Sequence, residues 1–141
     1  MKIMLRPTLA AIALMLSACG TLPTGEAPAL PVSSNNAIVA LVDSARSDNA
    51  GGRLDVAAAT LERALRIEPR NPGLWHELAK TRLQQGLTTQ AISMAAKSNA
   101  WSGDNKTLRA ANWRLIGEAR TQLGDYTGAQ TAFDTAAQLQ R

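Results

Sequence analysis

Side chains that commonly carry out covalent chemistry are scarce in this chain. It contains one cysteine, Cys19, and one histidine, His76, too few to complete a metal site or a nucleophile–base pair. The glycine pair Gly51-Gly52 lacks the Lys-Ser/Thr partner of a phosphate-binding loop. The carboxylates are scattered singly along predicted helices. The sequence therefore predicts a protein that is not an enzyme and that binds no metal or cofactor.

Cys19 closes a segment that is typical of protein export. The basic residues Lys2 and Arg6 precede an apolar stretch at 9–16, which is too short to cross a bilayer as a transmembrane helix. The four residues LSAC at 16–19 resemble the lipobox of bacterial lipoproteins. In that family the cysteine thiol takes a diacylglycerol before the signal is removed.

This resemblance implies that residues 1–18 are a cleaved signal peptide and that Cys19 is the lipidated first residue, carrying palmitate-type acyl chains. Gly20, where inner-membrane lipoproteins tend to have Asp, implies the periplasmic side of the outer membrane. The alternative is an ordinary cleaved signal followed by an incidental thiol. A lone cysteine can form no intramolecular disulfide, so the lipid explains Cys19 better.

The segment that follows Cys19 predicts a flexible linker. Residues 20–34 read GTLPTGEAPALPVSS, with no hydrophobic period and three prolines that oppose a helix. Residues 19–34 are accordingly predicted to be the lipidated cysteine and its tether, and the folded domain is predicted to span 35–141.

Three segments of the predicted domain share one pattern. Gly52, Gly86 and Gly124 are separated by 34 and then 38 residues, and each is followed at fixed distances by alanine or serine. Upstream, Trp75 and Trp113 stand at matching places. These residues resemble the tetratricopeptide repeat, whose period is 34 residues.

The resemblance implies an all-α fold: a short right-handed superhelix of about three helix hairpins, with repeats at roughly 35–70, 71–104 and 105–141. Large residues such as Leu61 and Phe133 are expected to fill the space between paired helices. Helices are predicted at 36–48, 54–67, 72–85, 88–99, 106–123 and 126–140. Trp75 and Trp113 belong to the core by this pattern.

In the tetratricopeptide family the first helix of each pair lines a concave face that holds peptides. By register, this face is predicted to contain Asp43, Arg46, Asn49, His76, Glu77, Lys80, Gln84, Arg114, Glu118 and Gln122. The alternative is an ordinary polar surface, with His76 exposed or lightly packed. Trp101 falls in the predicted 98–105 connection, where it either packs over neighbouring helices or serves as an exposed partner-binding anchor.

The predicted function is protein–protein interaction in the periplasm, as an adaptor or assembly factor for envelope, pilus or secretion machinery. The alternative is a structural lipoprotein that self-associates into a homo-oligomer and has no peptide ligand. The chain's net charge of +4 includes Lys2 and Arg6, and no basic run follows the signal. Nucleic acid is therefore not an expected partner.

Overall fold

The computed structural model describes residues 32–141, which contain six α-helices. They are α1 (Asn36–Ala50), α2 (Leu54–Ile67), α3 (Pro72–Gln84), α4 (Thr88–Trp101), α5 (Lys106–Gln122) and α6 (Tyr126–Gln138). The predicted signal peptide, Cys19 and most of the tether lie outside the described residues. Within residues 32–141, no helix combines the length and the apolar character needed to cross a membrane.

Local sequence explains where several helices begin. The side chain of Asn71 accepts a hydrogen bond from Leu74 N (3.2 Å), and Pro72 occupies the first turn, where its missing N–H has no consequence. Asn105 caps α5 in the same way, through Leu108 N at 3.0 Å. Asn35 caps α1 through Ala37 N. Three of the helix starts are therefore set by asparagine caps.

The turn inside each hairpin requires glycine. Gly52, Gly86 and Gly124 have φ angles of 74°, 75° and 78°, a left-handed conformation that residues with a Cβ rarely adopt. Each turn reverses the chain so that α1 packs on α2, α3 on α4 and α5 on α6. The predicted all-α fold of three helix hairpins is confirmed.

Small residues allow the paired helices to approach closely. Ala45, Ala79 and Gly117 hold the same repeat position, and all three are buried. Gly117 faces Phe133: a Cβ at position 117 would lie 2.5 Å from the Phe133 ring. Phe133 is a filler on that side only, because its other side is exposed. Phe133 thus fills the space between the paired helices α5 and α6 on the side that faces Gly117.

Five of the six helices end one or two residues away from the predicted position, whereas α2 ends where it was predicted to end. The largest consequence is at α4, which continues to Trp101 instead of ending at Asn99. Trp101 therefore lies on a helix and not in a connection, and it is 47% exposed. About half of the Trp101 surface is therefore covered by neighbouring residues and half is accessible, and its two proposed roles stay predictions. Trp75 and Trp113 are partly buried and pack against the two core clusters.

Candidate binding groove

The first helices of the three hairpins, α1, α3 and α5, border a concave groove of about 1170 Å³. The loop between α2 and α3 also lines it. We call this cavity the groove. Its lining residues are Val32, Arg46, Asn49, Ala50, Glu68, Pro69, Arg70, Asn71, Pro72, Gly73, His76, Glu77, Lys80, Gln84, Asn105, Thr107, Leu108, Ala111 and Arg114.

A buried carboxylate organises the wall formed by α1 and α3. Arg46 donates to Glu77 Oε1 from Nε (3.1 Å) and from Nη2 (2.6 Å), and Lys80 Nζ lies 3.3 Å from Glu77 Oε2. Burial by itself would raise the pKa of Glu77, but the charges of Lys80 and Arg46 and the Arg46 hydrogen bonds outweigh it. The Glu77 pKa therefore lies below its ordinary 4.5, and the carboxylate stays ionised at neutral pH.

Next to this ion pair, a second contact joins α1 to α3. Asn49 Nδ2 donates to Thr81 Oγ1 (2.9 Å), and the Thr81 hydroxyl donates to the Glu77 carbonyl (3.1 Å). Because that hydroxyl hydrogen is already used, Thr81 must accept from Asn49, which fixes the Asn49 amide. Asn49 Oδ1 is buried and finds no hydrogen-bond donor among the described residues.

Between α3 and α5, His76 is held by a fully buried asparagine. His76 Nδ1 lies 2.7 Å from Asn112 Oδ1, and Asn112 Nδ2 donates to Ser98 Oγ (2.7 Å) and to Asn99 Oδ1 (3.0 Å). Ser98 gives its own hydrogen to a backbone carbonyl, that of Pro72, and must accept from Asn112. This orients the Asn112 amide and places a hydrogen on His76 Nδ1.

The contact with Asn112 determines what the other ring nitrogen of His76, Nε2, can do. Burial lowers the pKa of His76 below its ordinary 6.5, outweighing the Asn112 hydrogen bond and the Glu77 charge that raise it. The ring is therefore neutral at pH 7. With Nδ1 protonated, Nε2 carries a lone pair and can accept a hydrogen bond in the groove. His76 is thus partly buried and hydrogen-bonded to Asn112, and it is not a fully exposed histidine.

The structure brings together most residues predicted for the concave face. Arg46, Asn49, His76, Glu77, Lys80, Gln84 and Arg114 line the groove. Glu118 lines a smaller adjoining cavity of about 340 Å³. Asp43, Gln122 and Trp101 line neither cavity. Asp43 lies beside the groove, 3.7 Å from Arg46, whereas the Trp101 ring lies under the Arg70 guanidinium.

Sequence reasoning missed two parts of the site. Asn112 stands at the repeat position that Leu74 occupies in α3, and both are fully buried. A polar residue at an apolar repeat position was therefore the available signal for a buried network. The other part is the wall made by Val32 and the α2–α3 loop, which no periodic pattern marks.

Metal-ligating groups do not cluster in the described part of the chain. Residues 32–141 contain no set of three or more His, Cys, Asp or Glu side chains placed to share a metal ion. The titratable groups along the groove are four basic side chains, two acidic ones and a neutral imidazole.

Comparison with known proteins agrees with this architecture. A family model described as a tetratricopeptide repeat matches residues 49–111. The globular C-terminal domain of Pseudomonas aeruginosa LpoP is 36% identical, with a TM-score of 0.73, and the match covers 74% of this chain and 99% of that one. The Sgt2 tetratricopeptide domain from Aspergillus fumigatus is similar in fold, at 22% identity and a TM-score of 0.68, covering 77% of this chain and 70% of that one. No curated protein matches the chain.

Proposed function

The chain belongs to the tetratricopeptide repeat family, and we propose that it is an outer-membrane lipoprotein whose groove binds a protein or peptide partner in the periplasm. The observation that carries the binding role is the groove itself. Arg46 and His76 are held in place by hydrogen bonds to the buried side chains of Glu77 and Asn112. Groups fixed before binding lose little conformational entropy when a ligand arrives.

The charges of the groove favour an acidic partner segment. Arg46, Arg70, Lys80 and Arg114 outnumber Glu68 and Glu77 along its lining, and Glu77 is already neutralised by its contacts with Arg46 and Lys80. Lys80 and Arg114 are exposed, which makes them accessible to carboxylates of a partner. The proposed role is binding, with no reaction and no cofactor assigned.

The anchoring part of the proposal rests on the sequence. LSAC at 16–19 supports lipidation of Cys19, and Gly20 supports the outer membrane. Twelve residues separate Cys19 from Val32, which is the first residue that the structure describes. The groove would then remain near the membrane while its partner is held in the periplasm.

The binding role can be tested by photocrosslinking in cells followed by pull-down. A photoreactive residue at Gln84, inside the groove, should capture a protein partner, whereas one at Gln130, exposed on α6, should not. The double variant Lys80→Glu, Arg114→Glu should weaken capture by about tenfold or more. Equal capture from both positions, or capture unchanged by the charge reversal, would contradict the groove assignment.

A matched control separates groove chemistry from net charge. Arg63→Glu with Arg141→Glu makes the same change in total charge at exposed positions outside the groove, so capture should persist. Size measurement distinguishes the structural alternative: a stable homodimer that occludes the groove would favour self-association instead. For the anchor, Cys19→Ser should abolish labelling by a fatty-acid analogue, and persistent labelling would refute lipidation.

A further inference from the structure

The chain arriving from Cys19 joins the domain at the loop between α2 and α3. Asn71 Nδ2 donates to the Val32 carbonyl (2.7 Å), and Ser33 Oγ donates to Glu68 Oε1 (2.9 Å). Gly73 makes room for this contact, because a Cβ there would lie only 3.0 Å from Val32 Cγ1. The last residues before α1 are thereby fixed to one edge of the domain.

Two large apolar side chains are exposed at the same edge. Ile67 and Trp101 are the last residues of α2 and α4, 34 residues apart, and thus occupy one repeat position. Ile67 is 54% exposed and Trp101 is 47% exposed. The loop that holds the incoming chain also reaches Trp101, since the Arg70 guanidinium lies 5.2 Å from the centroid of its ring.

Three basic residues neighbour this pair: Arg66 precedes Ile67 on α2, Arg70 stacks on Trp101, and Lys97 lies one helical turn before Trp101 on α4. Arg66, Arg70 and Lys97 are all exposed, and Lys97 Nζ lies 4.5 Å from the Trp75 ring. Neither Arg66, Arg70 nor Lys97 makes an ion pair within residues 32–141. We call Ile67, Trp101, Arg66, Arg70 and Lys97 the anchor-side edge.

We propose that the anchor-side edge rests on an anionic phospholipid surface, with Ile67 and Trp101 entering the headgroup layer and the basic side chains meeting lipid phosphates. Tryptophan suits this layer because its ring is apolar while its N–H can remain hydrated. Basic residues near an anionic leaflet add an electrostatic attraction that decays within a Debye length. The combination distinguishes this edge from a purely apolar protein-docking surface.

The position of the incoming chain supports lipid as the occupant. This inference rests on the proposed lipid at Cys19, which lies thirteen residues before Val32 and so cannot be more than about 45 Å from it. Because the chain enters at the α2–α3 loop, this edge is the part of the domain to which the anchor is tethered, closer along that path than the hairpin turns. Glu68–Gly73 also line the groove, so membrane contact would place that side of the groove at the lipid surface.

The test uses the full chain, purified with its lipid and reconstituted in vesicles of phosphatidylcholine with or without phosphatidylglycerol. Brominated acyl chains quench tryptophans that enter the bilayer, and the difference from the Trp101→Phe variant isolates Trp101. Quenching should appear with phosphatidylglycerol and decline in high salt. Each of Arg66→Gln and Lys97→Gln should reduce the fraction of chains whose anchor-side edge contacts the membrane. The reduction should be about fivefold per charge when that fraction is small.

A matched pair of apolar substitutions controls for surface hydrophobicity. Ile67→Ser should reduce Trp101 quenching, whereas Leu123→Ser, at a residue that is 53% exposed beside a hairpin turn, should leave it unchanged. Quenching that is independent of phosphatidylglycerol, or equally sensitive to both substitutions, would overturn the proposal. So would a photoreactive residue at position 101 that crosslinks in cells to protein instead of lipid.

Failure of the membrane-contact proposal can be distinguished from failure of the proposed function. The Lys80→Glu, Arg114→Glu variant should lose partner capture and keep Trp101 quenching, since neither residue belongs to the anchor-side edge. If the chain loses its fatty-acid label but still binds phosphatidylglycerol vesicles through Trp101, the anchor assignment fails while the edge assignment stands. If the chain carries the fatty-acid label and binds membranes but Trp101 is not quenched, the edge assignment fails while the anchor assignment stands.

Discussion

His76 Nδ1 lies 2.7 Å from Asn112 Oδ1, and this contact joins α3 to α5 beneath the groove. Asn112 is fully buried, so its amide would be costly to desolvate if it were unpartnered. It pairs with His76, Ser98 and Asn99 at once. One asparagine thus both stabilises the junction of two repeats and selects the tautomer that His76 presents.

Replacing Asn112 with alanine should destabilise the domain by about 2–4 kcal/mol, because it leaves buried polar partners unsatisfied and creates a cavity. Urea unfolding followed by circular dichroism measures this as a lower midpoint with little change in slope. Gln130→Ala, at an exposed position on α6, is the control and should have little effect. An Asn112 variant as stable as this control would show that the network is energetically neutral.

The single histidine allows a direct test of the partly buried imidazole. The pKa of His76 should lie below 6.5 in the folded protein, and NMR signals of its ring followed against pH report it without ambiguity. Below pH 6.5 the unfolded chain binds the proton more readily than the folded one. Stability should therefore fall as pH decreases from 6.5 to the folded pKa.

The His76→Gln variant supplies the control for that pH dependence. It cannot titrate in this range, so its free energy of unfolding should change less than that of the unaltered protein between pH 7 and the folded pKa of His76. A titration midpoint at or above 6.5 would contradict the assignment of a partly buried, neutral ring.

The buried Glu77 carboxylate should destabilise the domain when its partner Arg46 is removed. Arg46→Met should destabilise the domain by about 2 kcal/mol at pH 7, less than for a fully buried pair, because 33% of the Arg46 side chain is exposed. Replacing both residues with methionine should recover part of the loss. Denaturant titrations of the four proteins in this cycle provide the measurement.

The same pair predicts an acid-sensitive contribution. The folded pKa of Glu77 lies below 4.5, so its stabilisation is complete above that value and is lost as pH falls through the folded pKa. The effect of Arg46→Met should therefore shrink in acid. An effect of equal size at pH 7 and below the folded pKa would mean that packing, not charge, accounts for it.

Gly117 and Phe133 should be coupled by size. A Cβ at position 117 would meet the Phe133 ring at 2.5 Å, so Gly117→Ala should destabilise the domain by about 1–3 kcal/mol, reduced if the partly exposed ring shifts outward. In a Phe133→Leu background the same change should be neutral or stabilising, because alanine favours the helix over glycine. Thermal unfolding of the double-mutant cycle measures this coupling, and strict additivity would contradict it.

The pairing of Gly117 with Phe133 could be recognised in the sequence by comparison with Ala45 and Leu61. They hold the repeat positions of Gly117 and Phe133 in the first hairpin, and Ala79 and Ala95 hold them in the second. The helix bounds were likewise predictable to within two residues, since Gly52, Gly86 and Gly124 mark the turns and Asn71-Pro72 marks a helix start. These features depend on neighbours within a few turns of the same chain.

Contacts between helices from different repeats were not predictable in this way. Asn112 meets His76, Arg46 meets Glu77, and the Val32 carbonyl meets Asn71 only because the stacking of the hairpins sets a particular offset and curvature. The repeat pattern gives the face on which such residues lie but not the distances across the groove.

The sequence by itself therefore determined the helices, their pairing into hairpins and the side that carries Arg46, His76 and Lys80. Only the tertiary structure decided that Glu77 is buried between cations, that His76 is neutral, and that Trp101 is half-exposed against Arg70 of the α2–α3 loop. The physical reason is that helix and turn formation follow from local periodicity and backbone conformation. Burial and partner choice depend instead on how distant helices pack.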